Sequence, residues 1–481
     1  MIALLLAAVL ARSAEAGLSA ARLARIDAAV EEAIARRELP GAVVLVGRGD
    51  RILFRKAYGS RAIVPAREPM TLDTVFDLAS LTKPVATATS VMILVERGEL
   101  ALLDPVVKYL PEFGAGGGDR EKVTIEQLLT HRAGLAADDP LDLYTGTSEE
   151  IFSRKDRLPL ESPPGTRFRY SDAGYEELGE LVRKVAGMPL DEFAEENIFQ
   201  PLGMRDTHFR PLATSRFLGE KIDLAGVSRA RISRIAPTER RDDRWLRGEV
   251  HDPRAYALGG VAGHAGVFST ADDLSRFCRM ILAGGRLGKA RILSPLGVEA
   301  MTRPRFFGDE GLRALGWDVS TAYSRNRGDL FPPGSFGHTG FTGTSLWLDP
   351  SSGTYVVFLS NRLHPDGKGD VGRIRGIVST IAAASIEADT RRAARRLSTR
   401  APIRREVLAG VDALVADGFR PIAGKRVGLV TNATGRARDG RSTIAVLVSE
   451  EAKKAGVKLA ALFSPEHGIL SESDAKVADQ V

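Results

Sequence analysis

Apolar and polar positions change period several times along the chain. Residues 18–40, "LSAARLARIDAAVEEAIARRELP", repeat apolar positions at helical spacing and stop at Pro40. Ala42 to Arg48 and Ile52 to Tyr58 are β-rich runs split by a short turn containing Gly49-Asp50, which predicts a hairpin. From about Ala101 to Leu296 helical patterns and loops dominate; "TIEQLLTHRAGL", "YEELGELVRKVAG" and "TADDLSRFCRMILAGG" are the clearest helices. From Trp317 the period returns to that of strands. "GFTGTSLWLDP" and "GTYVVFLSN" are joined through a Ser351-Ser352-Gly353 turn, and a helix follows near residues 371–388. Strands at both ends of this stretch, with a helical block between them, predict an α/β sandwich with a helical insert over about 101–296. The cleft is expected between the two parts.

Beyond it the pattern breaks. Arg391, Arg392, Arg395, Arg396, Arg400, Arg404 and Arg405 crowd around Pro402, and residues 391–405 read as a solvated linker. Over 406–481, "GKRVGLVTNATG", "STIAVLVSEEAKKAG" and "VKLAALFSPEHGI" spell strand, helix, strand, a Rossmann-like βαβ unit. One such unit cannot bury both faces of a sheet, so it is expected to be part of a larger domain.

At the other end, Ile2 to Ala11 is an apolar run followed by Ala14-Glu15-Ala16, which fits a signal peptide over 1–16. The run is too short to span a bilayer of about 30 Å. The expected location is periplasmic or secreted, without a stable membrane anchor; if the segment is not a leader, it is cytoplasmic.

Composition adds little. A chain of 481 residues with 44% hydrophobic and 27% charged residues can bury a large core in two to four domains. The net charge of +6 is interspersed with acids, which argues against nucleic-acid binding. The single cysteine, Cys278, excludes an internal disulfide and sits in a helical pattern as a small buried hydrophobe. No histidine pair has metal-ligand spacing, and no metal or cofactor is expected.

The candidate chemistry begins at Ser80-Leu81-Thr82-Lys83, at the mouth of an apolar helix. Residues i and i+3 share a helix face, so Ser80 Oγ and Lys83 Nζ can meet. A desolvated lysine can act as base for a serine; equally, Ser80 could be an ordinary helix cap. His131 is expected to brace a helix end and His264 to serve a glycine-rich loop. Gly114 to Arg120 lacks a phosphate-loop lysine and reads as a turn.

Two further motifs decide between these readings. Tyr170-Ser171-Asp172 lies in "PPGTRFRYSDAGY" before a helix, and His338-Thr339-Gly340 lies in "FGHTGFTGTSLWLDP" at the expected start of a strand. Their order and spacing resemble the serine β-lactamase and penicillin-binding group, and more closely its class C β-lactamase-like branch, with the family VIII carboxylesterases and D,D-peptidases. The resemblance covers about residues 18–388. It implies an antiparallel sheet flanked by helices plus a helical subdomain, over 17–390. It implies Ser80 as acylated nucleophile and Lys83 with Tyr170 as base system, the tyrosine ionising more easily beside a cationic lysine. It also implies an oxyanion hole from the N–H groups of Ser80 and Phe341, and substrate contacts from Asp172, His338, Thr339 and Gly340.

Two positions depart from that family. Asp172 replaces the usual asparagine, turning a donor into an anion. His338 replaces lysine, removing a fixed positive charge at neutral pH. Both favour a carboxylesterase on short-chain esters, with D-peptide or weak β-lactam hydrolysis beside it. A class C-type β-lactamase, a D,D-carboxypeptidase or D-aminopeptidase, and a penicillin-binding sensor without turnover are the alternatives. The implied partner is a small ester, lactam or peptide; oligomeric state is open. The tail resembles the opening part of the exo-β-N-acetylmuramidases, whose S-P-E-H-G motif here holds Glu466 and His467. A glycosidase cleft needs more than this part, so no muramidase activity is expected of the chain.

Overall fold

The computed structural model describes residues 17–209, 229–387, 410–431, 435–437 and 439–463. The expected leader, the Arg-rich linker, Glu466 and His467 lie outside the described residues. The chain divides into two compact units, Met1–Thr390 and Arg391–Val481.

The first unit is built on an antiparallel sheet. Its strands are β1 (Gly41–Arg48), β2 (Arg51–Ala62), β3 (Glu68–Pro69), β4 (Arg305–Phe306), β5 (Leu312–Arg313), β6 (Asp318–Ser320), β7 (Phe336–Thr339), β8 (Ser345–Asp349) and β9 (Thr354–Ser360). Their spatial order is β4-β5-β6-β7-β8-β9-β1-β2-β3, so the first hairpin completes a sheet begun by the last strands. Both faces are covered. β1 sends Val43 and Leu45 into one core, and Ala42, Val44 and Val46 into the other. Alternation of this kind follows from the two-residue period of a strand, and an all-apolar run results when both faces are buried. Helices α1 (Arg25–Ala35) and α5 (Gly372–Ala384) cover one face. The helical block covers the other, with α2 (Thr89–Glu96), α3 (Asp172–Ala186) and α4 (Ala271–Leu282) contributing to its core.

Two expectations need correction. Ser80 does not open one long helix. It sits in a 3₁₀ turn, Ala79–Leu81; a π-helical segment, Lys83–Ala88, follows, and only then α2 begins. Pro84 lacks an N–H, and its carbonyl accepts from Thr89 Oγ1 at 2.7 Å, so regular i→i−4 bonding is broken there. The Ser80 side chain caps nothing. Secondly, His338 and Thr339 end strand β7, and Gly340 follows it; the next strand starts at Ser345. Glycine and threonine cluster on both sides of that break, so alternation could not locate it.

The second unit pairs Arg426–Val430 with Lys458–Phe463 in parallel, with helices Thr443–Leu447 and Glu450–Lys454 between them. This is the βαβ unit read from the pattern. Its small core holds Val411, Phe419, Val446 and Leu447, while Val430, Leu462 and Phe463 stay exposed. No helix among the described residues is long and apolar enough to cross a membrane.

Candidate active site

Ser80 is fixed by a tightly pinned turn. Ala79 takes a positive φ of 47°, an uncommon conformation for a non-glycine residue, and its N–H donates to Asp77 Oδ1 at 2.8 Å. The Asp77 and Leu78 carbonyls accept from Thr342 Oγ1 at 2.7 Å and Thr344 Oγ1 at 2.9 Å. The turn is thereby tied to the segment after His338-Thr339-Gly340. Gly340 permits that approach: a Cβ there would lie 2.1 Å from Thr344 Oγ1 and 2.3 Å from the Leu78 carbonyl. Ser80, Tyr170, His338, Thr339, Gly340 and Phe341 all line one cavity of about 380 Å³. Motifs far apart in sequence are thus brought together.

Lys83 is fully buried, and its Nζ donates to Ser80 Oγ at 3.0 Å and to the His264 carbonyl at 3.2 Å. It also forms an ion pair with Asp172 Oδ1 at 2.5 Å. Burial pushes the Lys83 pKa down, but the charges of Asp172 and Tyr170 outweigh it, and the net direction is up. Asp172 is the first residue of α3, after the Ser171 cap, where the helix N-terminus favours an anion. Its carboxylate is engaged by Lys83.

Tyr170 packs its ring under Lys83 Nζ, 4.9 Å from the centroid, and stacks on His131 at 4.4 Å. Burial raises its pKa, the Lys83 charge lowers it, and the net direction is up. Tyr170 therefore ionises less easily than a free tyrosine, contrary to expectation, because burial and Asp172 prevail over the lysine. His131 does brace a chain segment, with Nδ1 accepting from the Ser171 N–H at 3.0 Å. His338 donates from Nδ1 to the Thr339 carbonyl at 2.8 Å. Burial, then the nearby Arg313 and Lys83 charges, hold His338 well below the usual histidine range, so it is neutral at pH 7.

Several residues at the site were not found by sequence reasoning. Arg313, Arg362 and Arg375 line the same cavity as Ser80. Arg313 is fully buried, with Asp318 Oδ1 3.5 Å away. Arg375 Nη2 donates to the Gly340 and Thr344 carbonyls at 2.7 and 2.8 Å. Arg362 lies over the Phe341 ring at 4.4 Å, and His251 stacks on that ring at 5.5 Å. Behind Lys83, His264 Nε2 meets Asp252 Oδ1 at 2.8 Å, and Nδ1 lies 3.4 Å from Glu176 Oε1. Glu176 pairs in turn with buried Lys155, which also meets Glu177 at 3.4 Å and Asp139 at 3.7 Å. Apart from His264, which its glycine-rich loop already marked, none of these carries a local signature; each depends on tertiary packing. Gly263 makes the packing possible, since a Cβ there would lie 1.8 Å from the Tyr175 carbonyl of α3.

Asp172, Asp252 and His264 bring one potential ligand atom each within 4.8 Å of one another. Lys83 already sits on Asp172 and the His264 ring on Asp252, so the set is an internally compensated ion-pair cluster. Cys278 is buried in α4, away from the cavity-lining residues.

The comparisons with known proteins agree with this architecture. The Beta-lactamase family model matches residues 26–378. The model for the N-terminal part of exo-beta-N-acetylmuramidase NamZ matches residues 427–481. A putative D-alanyl-D-alanine carboxypeptidase of Escherichia coli (strain K12) is 33% identical over 373 residues, covering 73% of this chain and 84% of the relative. One of Salmonella agona (strain SL483) is 32% identical, covering 73% and 85%. Among solved structures, EstCE1, a hydrolase with promiscuous acyltransferase activity, aligns with a TM-score of 0.60 at 24% identity, covering 75% of this chain and 98% of its own. A class C beta-lactamase aligns with a TM-score of 0.59 at 20% identity, covering 76% and 96%. These last two show a shared fold. By its family match, its relatives and its sheet, this chain belongs to the β-lactamase family, as a serine hydrolase of the β-lactamase and penicillin-binding superfamily.

Proposed function

We propose that the chain hydrolyses carboxylate-terminated peptides of the D-alanyl-D-alanine type, and simple esters, through an acyl-enzyme on Ser80. Lys83 and Tyr170 form the proton-handling pair, and the N–H groups of Ser80 and Phe341 receive the oxyanion. One observation carries the substrate half: three arginines, Arg313, Arg362 and Arg375, border the cavity that holds Ser80. With His338 neutral, these guanidinium groups are the positive charge that a terminal carboxylate would meet. The name of the Escherichia coli relative supports the same substrate class. The muramidase-like segment supports work on cell-wall fragments, and the leader-like residues 1–16 support export. The cavity rim favours esters as a second substrate class: Phe341 and Tyr323 are 59% and 48% exposed there and offer apolar surface to an acyl chain.

A substrate panel tests this. D-Ala-D-Ala peptides, p-nitrophenyl esters of rising chain length and a chromogenic cephalosporin are given to wild type and to Ser80→Ala. The expected order of kcat/KM is peptide, then short ester, then cephalosporin, with all three lost in Ser80→Ala. Turnover of esters alone would leave a carboxylesterase, and a cephalosporin rate rivalling the others would leave a β-lactamase. A stable adduct with no release would leave a sensor. Full activity in Ser80→Ala would remove the acyl-enzyme reading.

A further inference from the structure

We infer that Arg375 is a positioning residue for the oxyanion hole. It holds the Gly340 carbonyl so that the N–H of the same peptide group, that of Phe341, faces the point where the negative oxygen forms. This rests on reading Ser80 as the nucleophile and the Phe341 N–H as an oxyanion donor. It goes beyond the charge that Arg375 lends to the cavity wall.

A peptide group is planar, and in its trans form the C=O and N–H point in opposite directions. The Gly340–Phe341 peptide is trans. Whatever fixes the Gly340 carbonyl therefore fixes the direction of the Phe341 N–H. Two donors do so. Arg375 Nη2 donates to it at 2.7 Å, and the Gly343 N–H donates at 3.2 Å. The Gly343 bond is the longer, and it lies within the turn, so it moves with the turn. Arg375 comes from outside, in the first turn of α5, whose Ile374, Val378 and Ala382 are buried in the core. A site held from a packed helix is set more sharply than one held by its own loop. The same Nη2 donates to the Thr344 carbonyl at 2.8 Å, which also accepts from the Gly340 N–H at 2.7 Å. One nitrogen thus joins both ends of the 340–344 segment to a rigid element.

The N–H left over is the one that the chemistry needs. Among the described residues the Phe341 N–H has no acceptor, and Phe341 borders the same cavity as Ser80. As Ser80 Oγ bonds to the substrate carbonyl carbon, the π pair moves to oxygen, and that oxygen takes up a free donor. A guanidinium on the carbonyl end of a peptide also polarises it and strengthens the N–H as a donor. The second donor, the Ser80 N–H, is tied to the same segment. Thr344 Oγ1 donates to the Leu78 carbonyl at 2.9 Å, and Thr342 Oγ1 to the Asp77 carbonyl at 2.7 Å. Arg375 therefore acts on the spacing between the two donors.

Arg362 does not duplicate this role. Its Nε donates to the Phe341 carbonyl at 2.7 Å, which belongs to the next peptide group, and its Nη1 donates to the Gly369 carbonyl at 2.8 Å.

The experiment compares Arg375→Met and Arg375→Lys with wild type in the full chain. A lysine keeps the charge, but its Nζ stands where the guanidinium carbon stood and falls one bond short of both carbonyls. The probe is a neutral alkyl fluorophosphonate. Its P=O oxygen enters the oxyanion hole as Ser80 Oγ displaces fluoride, and it has no carboxylate to meet an arginine. The maximal labelling rate is expected to fall about 10–100-fold in both variants, with the half-saturating concentration within about threefold. Hydrolysis of a D-Ala-D-Ala peptide should fall alike, in kcat. A merely structural role would lower the melting temperature and the labelled fraction but leave the rate of that fraction unchanged, and this outcome overturns the inference. So does a rise in peptide KM confined to Arg375→Met, with labelling rates unmoved; Arg375 is then a carboxylate contact. Should Arg375→Met fail to fold, Arg375→Lys decides alone: a wild-type labelling rate overturns the positioning role, and a reduced rate at full labelled fraction supports it. Ser80→Ala separates this from the parent reading. A label present in wild type and absent in Ser80→Ala keeps the nucleophile whatever Arg375 does; no label, with an active Ser80→Ala, removes the nucleophile itself.

Discussion

Charge is handled differently on the two flanks of Ser80. Toward α3 every buried charge has an opposite partner: Lys83 with Asp172, His264 with Asp252 and Glu176, Lys155 with three carboxylates. Toward β7 the histidine is neutral, and arginines dominate the cavity wall, offset only by Asp318 and Asp370. The first flank holds protons in place and the second leaves positive potential unspent. The proposed function, which moves protons and holds an anion, is served by this division.

The largest effect is expected where the flanks meet. Ser80→Ala should reduce hydrolysis by roughly 10⁴-fold or more, measured as steady-state release, and abolish covalent labelling. On the paired flank, Lys155→Met strands Glu176, Glu177 and Asp139 without their cation. It should cost about 3–5 kcal/mol in urea unfolding, an amount near the whole stability of a modest domain. Glu177, already pushed up to about 8 by burial despite Lys155 and so largely protonated at neutral pH, should be pushed higher still without that cation. On the arginine flank, Gly340→Ala inserts a methyl against Thr344 and Leu78 and pushes β7 away from the Ser80 turn. It should lower kcat by about 10–100-fold with a smaller loss in melting temperature.

The last effect concerns pH. His131 and His338 are buried and lowered well below the unfolded value of about 6.5. Below that pH the unfolded chain binds protons that the folded chain refuses, so each histidine removes about 1.4 kcal/mol of stability per pH unit on acidification. His264 is raised, so its contribution has the opposite sign: present below about 6.5 and lost as pH rises through the folded value. Urea midpoints between pH 5 and 8 should therefore fall on the acid side, and His338→Gln should flatten that fall. An equal acid-side fall in His338→Gln would mean that the β7 flank does not hold its histidine neutral.

What the sequence made legible were features set by short spacing. Ser80 and Lys83 are three residues apart on one turn, and the structure joins their side chains. The hairpin, α3 and α4 follow from the period of the pattern, and the structure adds their caps, Ser171 and Thr270. Illegible were the contacts made by distant segments. Asp252 and His264 meet only because Gly263 lets their loop close on α3. Arg313 lies on a two-residue strand whose pattern is too short to read. The Tyr170 ionisation was misjudged because a motif names the neighbouring lysine but not the depth of burial.

The π-helical segment Lys83–Ala88 couples the cleft to the core as two gears are coupled by their teeth. Each helical residue turns the chain by about 100°. Deleting one residue between Pro84 and Ala88 could restore regular helix, but Ser80 and Lys83 would then be rotated by about that angle against Val91, Met92 and Leu94, which are locked in the core. Side-chain replacements here leave the mesh intact, whereas a single-codon insertion or deletion would turn Ser80 out of register with β7. A library of such indels should give folded, inactive chains from this stretch, and few active ones.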